Sequence, residues 1–193
     1  MNFIHAITKD AVSQMPREVF PGRIVIVENK VDLDKALTYL ASLTEIGFDT
    51  ETRPSFSKKT HYKMSLIQLA GDDICFLIRL NKFKKIPSSL ESFLKNEEIK
   101  KIGLSLRDDF HGLHSLTNIS PGNFIDLQTY VTQFGIEDMS LQKIYAILFG
   151  KKISKRERLS NWEADILTES QQRYAALDAW ACLRIYQFLE CSK

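Results

Sequence analysis

A chain of 193 residues with 44% hydrophobic content is long enough for one globular core, burying roughly 70% of the surface its unfolded form exposes. Its 26 Lys and Arg against 24 Asp and Glu leave a net charge of +2, which excludes a global pull toward polyanions or membrane surfaces and leaves any such binding to local patches. The start MNFIHAITKDAVSQM lacks a leader's basic and apolar regions, no stretch approaches the roughly 20 apolar residues of a spanning helix, and Cys75, Cys182 and Cys191 form no CxxC pair, so a soluble, cytoplasmic protein in a reducing setting is expected, with no membrane contact.

Residues 1–20 are mixed in character and end at the breaker pair Pro21-Gly22, so they read as an N-terminal arm ahead of a domain over 21–193. RIVIVE (23–28) reads as a strand, VDLDKALTYLASL (31–43) as an amphipathic helix and EIGFDTET (45–52) as a second strand. MSLIQLA (64–70) and ICFLIRL (74–80) flank Gly71-Asp72-Asp73 and suit two buried strands of a hairpin. A helix over Ser88–Leu94, a short strand at IKKIG (99–103), a helix from Ser105 and helices near 126–134 and 140–149 follow. The last and longest helix runs from about Thr168 to Leu189. Strands first, helices afterwards and one strand between helices predict an α/β fold, a mixed central sheet flanked by helices.

Three elements carry acids whose placement invites chemistry. Asp49 and Glu51 lie two apart in a strand and leave the same face, while Phe48 and Thr50 take the other. Like charges held this close cost free energy unless hard divalent cations neutralise them, although an acidic pair at a strand end is also how a solvated edge looks. In the final helix Tyr174 and Asp178 stand at i and i+4, on a stripe with Leu177, Ala181, Ile185, Phe188 and Leu189. Asp178 therefore faces the core, where an ionised carboxylate needs a partner or a metal; a structural Asp paired with an arginine is the bland alternative. In KIGLSLRDDFHGL, Leu106, Phe110 and Leu113 define an apolar stripe, with Asp109 roughly 70° from its centre and Asp108 nearly opposite, so Asp109 is the inward candidate.

At these three places the sequence resembles the ribonuclease D-like exonucleases of the DEDD superfamily, the Werner-type exonuclease domains in particular, over about residues 23–190. GFDTET resembles the family's D-x-E motif and KIGLSLRDDF its second motif, with an extra acid at Asp108 where relatives usually carry a small or amide residue. LSNWEADILTESQQRYAALDAWACLRIY is similar to the SNW, LT-x-x-Q and Y-x-x-x-D block, and the tyrosine at 174 marks the tyrosine subgroup. The resemblance implies a ribonuclease-H-like fold, two divalent cations, Mg2+ or Mn2+, and hydrolysis from the 3′ end of DNA or RNA. Asp49 is then the shared metal ligand, Glu51 and Asp178 complete one site, Asp109 serves the second, and Tyr174 orients the attacking water.

A nucleic-acid partner requires local positive charge. KKISKRER offers Lys151, Lys152, Lys155, Arg156 and Arg158, and SKKTHYK offers Lys58, Lys59 and Lys63, each loop adjoining an acidic motif; lysine-rich loops also occur simply as solvated surface. Trp162 is a candidate for stacking on a base or for packing beneath its loop. His5, His61, His111 and His114 show no ligand pattern, and His111 and His114 read as surface. A catalytically silent nucleic-acid-binding scaffold on the same fold is the alternative function, and protein partners are left open.

Overall fold

The computed structural model describes residues 3–57 and 60–193. Six strands, β1 (Arg23–Val27), β2 (Glu45–Thr52), β3 (Met64–Ala70), β4 (Ile74–Arg79), β5 (Lys100–Gly103) and β6 (Phe124–Asp126), form one sheet in the order β1-β4-β3-β2-β5-β6. β2, β3 and β4 pair antiparallel; β1 joins β4 in parallel, and β5 and β6 extend the sheet beyond β2 in parallel. The sheet is mixed, as the order of elements in the sequence predicts.

Strand alternation decides what covers each face. β2 sends Ile46 and Phe48 to one side, where Leu33, Leu40, Leu90, Leu94 and Leu113 of α2 (Lys30–Leu40), α3 (Ser88–Lys95) and α4 (Leu106–Leu116) pack against them. Each leucine buried this way contributes about 2 kcal/mol. The other side carries Leu66, Ala70, Cys75 and Leu77, covered by α7 (Glu169–Glu190) with α6 (Leu141–Phe149) and the short α5 (Leu127–Tyr130). With both faces covered, β3 and β4 are buried along their whole length, which is why their sequences read as near-continuous apolar runs.

Two elements depart from the sequence reading. The segment expected as a helix near 126–134 begins as the edge strand β6, becomes α5 and tightens into a 3-10 turn over Val131–Phe134. Three strand residues are too few to show a period, and Asp126 ends the strand by accepting the Gln128 N–H at 2.9 Å, a cap readable only once its position is known. The arm also contains a helical turn, α1 (Lys9–Ser13), and lies against the body. Glu18 N–H donates to the Lys152 carbonyl and Lys152 N–H to the Pro16 carbonyl, both at 2.9 Å, while Phe20 packs edge-on to Trp180. Among the described residues, no helix is long and apolar enough to cross a membrane.

Candidate active site

The acids meet because α7 rests directly on β2. The Ala179 carbonyl oxygen lies 1.9 Å from where a Cβ on Gly47 would sit, so only glycine permits this backbone-to-backbone approach. The start of α7 is fixed by a capping box: the Thr168 hydroxyl accepts the Gln171 N–H at 3.2 Å, and Gln171 Oε1 accepts the Thr168 N–H at 2.9 Å. The Gln171 amide also donates to Ser160 Oγ at 2.9 Å and to the Asn161 carbonyl at 3.1 Å, tying the preceding loop to the helix. With both ends of this seam set, Asp178 on α7 faces Asp49 and Glu51 on β2, and carboxylate oxygens of the three lie within 4.8 Å of one another.

They border a cleft of about 360 Å³ that Tyr174, Lys155 and Arg158 also line. Glu51 and Asp178 are each only 8% exposed. Burial pushes the Glu51 carboxyl up to about 10, helped by repulsion from Asp49 and Asp178. Burial likewise raises Asp178 to about 7, held down by hydrogen bonding from the Tyr174 hydroxyl and by the charge of Lys155. Asp49 is raised well above the carboxylate range by burial and by its neighbours Asp178 and Asp109. Burial and the charges of Asp178, Glu51 and Asp49 lift Tyr174 above its ordinary value, so its hydroxyl stays protonated and serves as a hydrogen-bond donor.

Asp109 approaches from the other face of β2. Ser105 takes a left-handed conformation, φ 61°, which turns the chain sharply from β5 into α4. The Asp126 carboxylate accepts the N–H groups of Ser105 and Leu106 at 3.0 and 2.9 Å, anchoring the first turn of α4. One turn on, Asp109 accepts a short hydrogen bond from the Thr50 hydroxyl, and burial lifts its carboxyl to about 6 against that bond. Asp108 is exposed. Asp109 thus sits beside the trio of acids, one residue along β2 from both Asp49 and Glu51, and outside the 4.8 Å group.

The basic residues divide. Lys155 and Arg158 line the cleft, and Arg156 borders a neighbouring hollow with Arg17 and Arg173 beside Tyr174. Lys151 and Lys152 turn to the arm: Lys151 pairs with Glu18 at 3.0 Å, and the Lys152 ammonium donates to the Ser13 carbonyl. Lys63 borders a separate hollow with Lys84 and Lys85, and Lys58 and Lys59 lie outside the described residues. The stacking reading of Trp162 is corrected: the indole is 0% exposed and packs 6.0 Å from the Tyr174 ring, so it offers no face to a base. The four histidines are exposed and none joins the acids.

Thr50, Asp126, Gln171 and Gln68 are absent from the sequence-based set. Gln171 stands in a legible S/T-x-x-Q capping pattern, whereas Asp126 reaches back to Ser105 through folding alone, with no local signal.

The cluster fits a divalent cation on its own chemistry. Its donors are all oxygen, its charges are mutually repulsive in a buried setting, and Asp178 Oδ1 is buried with no hydrogen-bond partner among the described residues.

Comparison with known proteins agrees with this geometry. The bifunctional 3′-5′ exonuclease/ATP-dependent helicase WRN of Mus musculus is 30% identical over 184 residues, 91% of this chain and 13% of that protein. A 3′-5′ exonuclease of Arabidopsis thaliana is 28% identical over 191 residues, 91% of this chain and 66% of that protein. The chain therefore spans a small part of the first relative and just under two thirds of the second. The Aedes aegypti Nibbler EXO domain shares the ribonuclease-H-like fold, with a TM-score of 0.78 at 26% identity over 87% of each chain. The family model for 3′-5′ exonuclease domains matches residues 24–192, from β1 to the end of α7, and the chain belongs to that 3′-5′ exonuclease family.

Proposed function

We propose that the chain hydrolyses phosphodiester bonds one nucleotide at a time from the 3′ end of DNA or RNA. The convergence of Asp49, Glu51 and Asp178 beside Asp109 is the observation that carries this reading. Two divalent cations, Mg2+ or Mn2+, would suit the oxygen donors: Asp49, Glu51 and Asp178 would hold one, and Asp109 together with Asp49 would hold the other. When bound, such ions lower the pKa of water and stabilise negative charge on the phosphate and the departing 3′ oxygen.

The chain's own groups do the rest. The Tyr174 hydroxyl, raised in pKa and beside Asp178, holds a proton and positions the attacking water without acting as a base. Lys155 and Arg158 face the acids across the cleft and balance the charge of an entering phosphate. Buried Trp162 packs against the Tyr174 ring and supports it at the edge of the cleft. The three free thiols, Cys75, Cys182 and Cys191, suit a reducing, cytoplasmic setting.

Asp49→Asn tests the reading against a silent scaffold. It removes one charge from the shared position and keeps the shape, so strand binding should persist while hydrolysis falls by about 100-fold or more. A variant that still digests at the original rate sinks the assignment.

A further inference from the structure

The two sides of the cleft differ in how they are held. The acids stand on β2 and α7, two regular elements packed against each other, whereas residues 139–142 and 153–155, with Arg158, form the facing wall. These wall segments lead into α6 and out of it. Between α6 and α7 the chain forms turns and one bridge residue, with no helix or strand of its own. A segment so poor in internal bonds needs outside contacts to keep Lys155 and Arg158 over the acids. One is local: the Gln142 amide donates to the Ile153 carbonyl at 2.6 Å and joins the two wall segments.

The others come from the N-terminal arm, which grips the wall at both ends of α6. On the entry side the Glu137 N–H donates to the His5 carbonyl and the Ile7 N–H to Asp138 Oδ2, both at 2.8 Å, and His5 Nδ1 reaches the Gly135 carbonyl at 2.7 Å. The other Asp138 oxygen takes the Lys143 ammonium of α6 at 2.6 Å. On the exit side both backbone groups of Lys152 go to the arm, the N–H to Pro16 and the carbonyl to Glu18. The Glu18 carboxylate accepts the Tyr145 hydroxyl of α6 at 2.8 Å and pairs with Lys151 at 3.0 Å, so one acid joins arm, helix and loop. The side chains of Glu18 and Asp138 are each only 12% exposed, which shields these pairs from salt. Between the two grips Val12 of α1 is buried. The arm precedes residues 24–192, the stretch that matches the exonuclease family, so it is an addition to the matched domain.

We propose that the arm is a strap that holds the cleft wall opposite the acids, with Glu18 and Asp138 as its positioning residues, and so sets where Lys155 and Arg158 meet the substrate's phosphate. The assignment rests on the exonuclease reading of the cleft. Neither acid lines the cleft; each acts through the segment it ties. Charge alone gives the opposite expectation, because removing an acid beside a basic wall strengthens the pull on a polyanion.

The test uses the full chain with Glu18→Ala, Asp138→Ala and Glu18→Gln, the last of which keeps an acceptor for the Tyr145 hydroxyl. Amide hydrogen exchange read by mass spectrometry should show protection over 136–142 and 150–158 falling about 10-fold in the alanine variants, with β2 and α7 still protected as evidence of folding. In Mn2+ the KM for a 5′-labelled oligothymidylate should rise about 10-fold at nearly constant kcat, whereas a mere loss of folded protein lowers kcat and leaves KM alone. Glu18→Gln should recover most of both effects. Unchanged exchange in the two wall segments overturns the strap. Loosened segments with an unchanged KM overturn the positioning role, and a lower KM in all three variants assigns the effect to charge. If the unmutated chain never shortens the strand, the exonuclease reading fails, and the exchange result still decides whether the arm holds the wall.

Discussion

Gln68 stands directly across from Asp49 in the antiparallel register of β2 and β3, on the same face of the sheet, fully buried, with neither end of its amide hydrogen-bonded among the described residues. An amide in that state costs about 1–3 kcal/mol for each unmet group, so the position is expensive for folding. Beside Asp49, the proposed shared ligand, its N–H groups are placed to hold the carboxylate in one orientation once the cluster's charge is neutralised.

Gln68→Leu should therefore separate stability from metal binding. Removing two unmet polar atoms at similar volume should raise the melting temperature of the metal-free protein by roughly 6 °C. Calorimetric titration should show Mn2+ affinity falling by about 10-fold. A variant that melts higher and binds Mn2+ as before would show that Gln68 has no role at the site.

Tyr174→Phe keeps the ring on Trp162 and removes only the hydroxyl directed at Asp178. Turnover of a short oligonucleotide should drop about 100-fold with little change in KM, the signature of a group that positions water and does not hold the strand. A rise in KM at constant kcat would instead make Tyr174 a strand contact.

Stability and metal affinity should both depend on pH, in opposite senses. Asp109, Asp178 and Glu51 are raised to about 6, 7 and 10, above their values in an unfolded chain. Folding without metal is thus most favoured below about pH 4, where the unfolded chain also keeps these protons, and that contribution is lost as pH rises from there to about 6 for Asp109, 7 for Asp178 and 10 for Glu51. Cations compete with the same protons, so their binding strengthens over this window. Thermal melts at pH 5.5, 7 and 8.5 should show the metal-free transition falling and the increment from Mn2+ growing. A constant increment would mean that the buried acids do not bind the ion.

Gly47→Ala should be among the most damaging single methyl additions in the chain. The new Cβ meets the Ala179 carbonyl, a backbone atom that cannot rotate away, so α7 must lift from β2. Overpacking of this kind costs about 3 kcal/mol and should carry Asp178 away from Asp49, so denaturant midpoint and Mn2+ affinity fall together. Affinity that survives a full loss of 3 kcal/mol would show that the α7 seam does not set the cluster.

The facing of the acids was legible because it depends on two short periods. A residue two along a strand returns to the same face, and one four along a helix returns to the same stripe, which put Asp49 with Glu51 and Tyr174 with Asp178, and turned Asp109 inward and Asp108 out. What stayed hidden depends on contacts between distant segments. Lys151 and Lys152 look like free cations in sequence, yet residues more than a hundred positions earlier claim them. Trp162 had two readings until the chain closed over it, since the exposure of one aromatic is set by what packs above it. Three-residue β6 and the reach of Asp126 to Ser105 have no periodic or capping pattern of their own.

The most direct measurement is a timed digest of a 5′-labelled single strand in Mn2+, in Mg2+ and in chelator, resolved at single-nucleotide length. A ladder that shortens stepwise from the 3′ end with either ion and disappears in chelator is the predicted result. Stepwise shortening that continues in chelator, or a strand that binds the protein with both ions present and is never cut, would contradict the account at its centre.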